Sequence, residues 1–123
     1  MTPNAKLDAL IARIEGGEKL TEELDWDIAL ATGWVFLPKG DKSIGADRCW
    51  RDPSGVSQMT AIPPAFHKSF DAVMSLARNE TEVEALLFAA MDCPLPPKEL
   101  RTILDLGWYR RAMLIEALRA RRT

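Results

Sequence analysis

The side chains best suited to nucleophilic or metal chemistry are one histidine, His67, and two cysteines, Cys49 and Cys93. A hydrolytic triad would need His67 as its base, but neither a G-x-S-x-G sequence nor a cysteine-centred signature accompanies it. The cysteines are 44 residues apart, and no C-x-x-C or H-x-x-x-H spacing supports a zinc site. We therefore predict no catalytic residue and no metal ligand. His67 is expected at the surface, and the cysteines are expected to be reduced core residues.

A glycine-rich loop from Gly40 to Gly45 has the glycine spacing of a phosphate-binding loop. In such a loop a lysine and then a serine or threonine follow the second glycine and contact phosphate and magnesium. Here Ala46 and Asp47 take those places, and Asp47 would repel a phosphate. Nucleotide binding is therefore not expected, and no cofactor is predicted.

Two carboxylates, Asp25 and Asp27, flank Trp26 in a segment with a helical pattern. Side chains two residues apart on a helix point in different directions. These two carboxylates therefore cannot share a proton in acid–base catalysis, and both are expected to be solvated.

The last helical segment is rich in arginine and could bind phosphate groups. On a helical wheel, Arg111, Arg119 and Arg122 share a sector with Ile115 and Leu118. Apolar residues also occupy the opposite side, which is typical of a helix buried between neighbours. Three roles remain open: a core helix with a basic end, a nucleic-acid contact, or a protein interface, where arginine often concentrates binding energy.

The composition is that of a soluble globular protein. Of 123 residues, 47% are hydrophobic and 28% are charged, and no apolar run approaches the roughly 20 residues needed to span a bilayer. The N-terminus lacks the features of a signal peptide, so the host cytoplasm is the expected compartment. The length predicts a single domain over residues 1–123 that can fold without disulfides or metal.

The charge is distributed unevenly along the chain. Residues 1–33 carry three basic and seven acidic side chains, whereas residues 98–123 carry seven basic and three acidic ones. Such polarity could steer a charged partner. It could equally reflect the preference for cations at the C-terminus of a helix.

The first half of the chain predicts two helices and a hairpin. Apolar spacing indicates a helix over about residues 6–15 and a second over about 22–32, the second with Thr21 as its N-cap and Gly33 as its C-terminal stop. From Trp34 the pattern becomes extended. The turn sequence from Asp52 to Gly55 favours a hairpin with arms of about 47–51 and 56–62.

The second half predicts three or four helices. Phe66, Phe70, Val73 and Ala77 form one helical stripe, and a further helix should start near Asn79. Thr81 and Glu84 fit a capping box, and either Asn79 or Thr81 is expected to cap this helix. Two more are expected at about 97–106 and 108–121, separated by Gly107 as a C-cap. The predicted fold class is therefore α+β and predominantly helical.

Several segments resemble the phage ABA sandwich domain family of small phage and prophage proteins. They are "LDALIARIE", "ELDWDIALATGW", the turn from Trp50 to Gly55, "IPPAFHKSFDAVMSL" and "EALRAR", which together span about residues 7–78 and the last ten. The resemblance implies a phage or prophage context and an α/β layered fold without assigned catalytic residues. After Arg78 the chain departs from the family, because helices with a proline-rich break replace the family's Trp-rich strand segment.

These observations favour a non-enzymatic phage accessory protein that binds a bacterial host protein. It could be an inhibitor of an antiviral defence system, such as an anti-CRISPR. The alternatives are a nucleic-acid-binding protein that uses the basic C-terminal helix, and an enzyme with a dispersed site. The predicted partner-binding residues are basic side chains from the central loop and the last helix: Lys39, Lys42, Arg48, Arg51, Arg110, Arg111, Arg119 and Arg122.

Overall fold

The computed structural model describes residues 3–94 and 107–122. Within these ranges the chain forms five α-helices and a three-stranded antiparallel sheet. This architecture confirms the predicted α+β, mostly helical class. No helix in the described ranges has both the length and the apolar character needed to cross a membrane. The elements in chain order are α1 (Pro3–Glu15), α2 (Glu22–Ala31), β1 (Val35–Leu37), β2 (Cys49–Arg51), β3 (Ser57–Gln58), α3 (Phe70–Met74), α4 (Glu80–Asp92) and α5 (Gly107–Arg119).

The two N-terminal helices begin and end close to where the sequence predicts. The Thr21 side chain accepts a hydrogen bond from the Leu24 amide, which satisfies one of the free donors at the start of α2. At the other end Gly33 adopts φ 95°, and the Trp34 amide donates to the carbonyl of Ala29 at 3.0 Å. This is the glycine-dependent Schellman stop, and it turns the chain directly from α2 into β1.

The sheet has the order β1-β2-β3, with Phe36 opposite Trp50 and Trp50 opposite Gln58. The predicted hairpin is confirmed, because the Gly55 amide donates to the Asp52 carbonyl at 2.9 Å across the turn. Its paired arms are shorter than predicted. The extended segment after Trp34 supplies the third strand.

An aromatic cluster joins the sheet to α2. Trp50 is fully buried, and its ring centroid lies 4.7 Å from that of Trp26 and 5.2 Å from that of Phe36. The Trp50 indole N–H donates to the carbonyl of Ala61 at 3.3 Å, so its one polar atom is satisfied. Trp50 therefore anchors the hairpin to the core. Cys49 beside it is also buried, whereas Cys93 at the end of α4 is partly exposed.

The C-terminal half departs from the predicted boundaries at α3. This helix covers five residues and starts after Phe66, because the Ser69 side chain caps the amide of Ala72. Of the two caps that the sequence left open for α4, Asn79 is the one used, and it accepts from the amide of Glu82 at 2.9 Å. Gly107 is the first residue of α5. The helix predicted at 97–106 lies outside the described residues.

The core forms where α5 packs against α1 and α4. Helix α1 contributes the predicted stripe, and α5 contributes buried side chains at i, i+1, i+4 and i+5, which form one broad sector of the helix. The buried residues are Leu7, Leu10, Ile11 and Ile14 of α1, Leu86 of α4, and Met113, Leu114, Ala117 and Leu118 of α5.

Candidate partner-binding surface

The eight predicted partner-binding residues divide into two groups with different surroundings. Four of them, Lys39, Lys42, Arg48 and Arg51, lie on the segment that connects β1 to β2 or at the end of β2, and all four are exposed. The segment 38–51 with these four cations is called the basic loop below. The other four lie on α5 or directly after it and contact the rest of the chain.

The basic loop is organised around the carboxylate of Asp41. This carboxylate accepts hydrogen bonds from the amide of Ser43 at 3.0 Å, from its hydroxyl at 2.6 Å and from the hydroxyl of Ser57 at 2.6 Å. The hydrogen bonds, from Ser43 first and Ser57 next, lower the pKa of Asp41 to about 2. The backbone of Asp41 also bridges to Ala46, so the loop is closed on itself and tied to β3.

Two glycines allow the loop to close. Gly40 adopts φ 75°, and a Cβ at this position would lie 2.0 Å from the carbonyl oxygen of Ala46. Gly45 adopts φ 72° at the end of a short 3₁₀ turn, Lys42–Ile44, but has open space around it. The glycine spacing that resembles a phosphate-binding loop therefore allows the backbone to approach itself closely, and the loop is braced by its own hydrogen bonds.

Among the described residues, Arg51 is the one cation of the basic loop that forms an ion pair, although the segment also contains Asp41 and Asp47. The nearest carboxylate oxygen to Arg51 is that of Asp41, at 3.9 Å, and Arg48 places its guanidinium carbon 5.6 Å from the ring centroid of Phe36. Among the described residues neither Lys39 nor Lys42 forms an ion pair. The loop therefore presents positive charge from fixed backbone positions.

The arginines of α5 form ion pairs and hydrogen bonds with other residues of the same chain. Arg119 forms an ion pair with Glu15, and Arg122 Nε lies 2.7 Å from Asp8 Oδ1, which fastens the end of α5 to α1. Arg111 Nη1 donates to the carbonyl of Ile14 at 3.2 Å. These contacts favour the core-helix role among the three that the sequence left open. Binding of a partner through these arginines stays a prediction.

Arg110 has a different set of contacts from the other α5 arginines. Its Nη2 donates to the carbonyl of His67 at 2.9 Å, and its guanidinium carbon lies 5.2 Å from the ring centroid of Phe70. Its Nε is buried without a hydrogen-bond partner. Arg110 therefore fixes α5 to the chain just before α3.

The structure pairs Asp25 with His67, which the sequence analysis did not anticipate. The Asp25 side chain is 2% exposed and binds both the amide of His67, at 3.0 Å, and its Nδ1. Burial raises the pKa of Asp25, and the hydrogen bonds from His67 offset part of that effect. The predictions of a solvated Asp25 and a surface His67 are both wrong. The sequence contains a signal for the burial of Asp25. The apolar residues Ile28 and Ala29 follow it by three and four positions and therefore share its face of the helix.

The Asp25–His67 pair resembles the part of a catalytic triad in which a carboxylate orients the histidine that acts as general base. No hydrogen bond within the described residues joins the imidazole to a hydroxyl or a thiol. What the pair demonstrably does is connect α2 to the segment before α3. Across the same part of the chain no group of three or more histidine, cysteine or acidic side chains is arranged to hold a metal ion.

The candidate surface is thus the basic loop, and its geometry comes from Asp41, Gly40 and Ser57. Its cations can bind anionic groups. No family model, no curated protein and no solved structure matches this chain.

Proposed function

We propose that this chain is a non-enzymatic phage or prophage accessory protein that binds an acidic surface of a bacterial host protein through its basic loop. The observation that carries the proposal is the contrast between the two arginine- and lysine-rich segments. The cations of α5 are engaged by carboxylates and carbonyls of the chain, whereas Lys39 and Lys42 are exposed and have no such partner among the described residues.

A braced loop suits recognition of a partner's surface. Side chains on a backbone that is already ordered lose less conformational freedom on binding. Positive charges that face an acidic partner also speed the encounter and exclude partners of the same sign. Val35, which is directly opposite Arg51 in the sheet and half exposed, adds an apolar contact beside the charges.

The resemblance to small phage and prophage proteins supports a partner in the bacterial cytoplasm. In that context a small chain can act by occupying a surface of a host protein. We infer that the host protein belongs to an antiviral defence system, and that the chain acts as an inhibitor of the anti-CRISPR type.

The inhibitory role can be tested by phage plating on a bacterium with an active CRISPR system that targets the phage. Expression of the chain is expected to restore plaques. The double charge reversal K39E/K42E should abolish the restoration. The matched control K19E/K68E changes the net charge equally at two exposed lysines outside the basic loop and should leave it intact. Absence of plaques with the wild-type chain would contradict the inhibitory role.

A further inference from the structure

A groove of about 1070 Å³ runs between α1, the end of α2 and the tip of the hairpin. Its volume is at the upper end of the roughly 300–1,000 Å³ typical of small-molecule pockets. None of the four cations of the basic loop lines it. The groove is therefore a second surface, separate from the one proposed above.

One wall of the groove is apolar and exposed. Leu30, at the end of α2, is 55% exposed and faces this space together with the half-buried Trp34 and the turn residue Pro53. Gly33 lies beside the Pro53 ring, since a Cβ built on it would be at an ordinary van der Waals distance of 3.4 Å from that ring. The wall offers contact to an apolar side chain.

The other end of the groove carries positive charge. Arg121 is partly buried there, and its guanidinium donates to the carbonyls of Leu76 at 2.7 Å and Ala117 at 3.0 Å. These carbonyls fix the group but do not neutralise it. The nearby Glu82 pairs directly with Arg78, with nitrogen and oxygen 2.9 Å apart, so it compensates Arg121 only in part.

The groove lining contains three cations and one carboxylate. The cations are Lys6, Arg78 and Arg121, and the carboxylate is that of Asp52. Asp52 is already occupied, because it accepts from the Ser54 hydroxyl at 2.6 Å and from the amide of Val56 at 2.9 Å. The complement of this groove is therefore an anion next to an apolar group.

We propose that the groove binds an extended segment of a partner protein in which an acidic side chain lies beside aliphatic or aromatic ones. The acidic side chain contacts Arg121 and Lys6, and its apolar neighbours pack on Leu30, Trp34 and Pro53. Charge complementarity, with three cations beside an exposed apolar wall, favours a segment that carries both an acidic and an apolar side chain. The groove is separate from the basic loop, so the proposal for one site does not depend on the proposal for the other.

The probe is a pool of blocked pentapeptides with glutamate at the centre and leucine, phenylalanine or tryptophan on both sides. A matched pool has glutamine at the centre. Both are titrated into the ¹⁵N-labelled full chain at low salt. The glutamate pool is expected to shift the indole N–H resonance of Trp34 and the amides of residues 30–34 and 76–78, and the glutamine pool should bind about tenfold more weakly, as for loss of one charge-assisted hydrogen bond.

Variants on the groove wall separate this site from nonspecific binding. R121Q removes the fixed cation, and the exposed substitutions K6E and L30S weaken the groove without emptying the core. L87S, at an equally exposed leucine on α4, is the control. All three groove variants should weaken binding of the glutamate pool, and L87S should not. Shifts that are absent, equal for the two pools, or unchanged in K6E and L30S would overturn the proposal.

Discussion

The carboxylate of Asp25 binds both the backbone amide and the imidazole Nδ1 of His67, 42 residues further along the chain. Arg110 of α5 donates to the carbonyl of the same histidine at 2.9 Å. His67 is therefore the point at which α2, the segment before α3, and α5 are joined by polar contacts. These contacts supply hydrogen-bond donors to the acidic residue on the buried face of α2.

Removal of the Asp25 carboxylate should destabilise the fold. D25A leaves the amide and imidazole of His67 without their acceptor, and loss of a hydrogen bond to a charged group costs about 1.5–3 kcal/mol. D27A is the matched control, because Asp27 forms an exposed ion pair with Arg13 that is worth about 0–1 kcal/mol. Urea unfolding measures both. Equal losses for the two variants would show that the buried pair contributes no more than a surface one.

The two loop glycines should respond differently to alanine. G45A places a Cβ in open space at φ 72° and should cost about 1–2 kcal/mol, the usual effect of a left-handed backbone on an L-residue. G40A forces a Cβ against the Ala46 carbonyl and should cost more than about 3 kcal/mol or open the loop. The free energy of unfolding and the amide shifts of residues 41–46 test this. Similar effects for both variants would mean that the loop is not braced as described.

Asp41 should titrate well below an ordinary aspartate. Its pKa is about 2 in the folded chain against an ordinary value of 3.8 for aspartate, so the folded state binds fewer protons than the unfolded state between these values. Its contribution to stability is therefore present above about pH 4 and is lost as the pH falls towards 2. Carbon NMR of the Asp41 carboxyl should give a midpoint near 2, also in S54A, and a higher one in S57A. A midpoint near 3.8 in the unmodified chain would show that the hydrogen bonds from Ser43 and Ser57 are not formed.

Local signals predicted the elements that depend on neighbouring residues. Thr21 and Gly33 fix the ends of α2 through hydrogen bonds between residues three to five apart, and the turn from Asp52 to Gly55 is likewise local. The sequence left the cap of α4 open between Asn79 and Thr81, because both are good caps two residues apart. Propensity alone does not distinguish them.

The sequence patterns did not predict the contacts between segments that are far apart along the chain. The Asp25–His67 pair and the hydrogen bond from Ser57 to Asp41 depend on how separate elements pack. The helical wheel placed Arg111 and Arg119 among apolar residues, but it could not show the acceptors on α1 that receive them. The sequence therefore identified the charged residues, but it did not predict which of them bind other parts of the chain and which stay exposed.

The most direct test of the proposed function is capture of partners from the lysate of a defence-competent bacterium, after nuclease treatment, with wild-type, K39E/K42E and K19E/K68E chains. We expect the wild type and K19E/K68E to retain the same host protein and K39E/K42E to lose it. Retention of that protein by K39E/K42E at unchanged affinity, or capture of no protein by the wild type, would contradict binding through the basic loop.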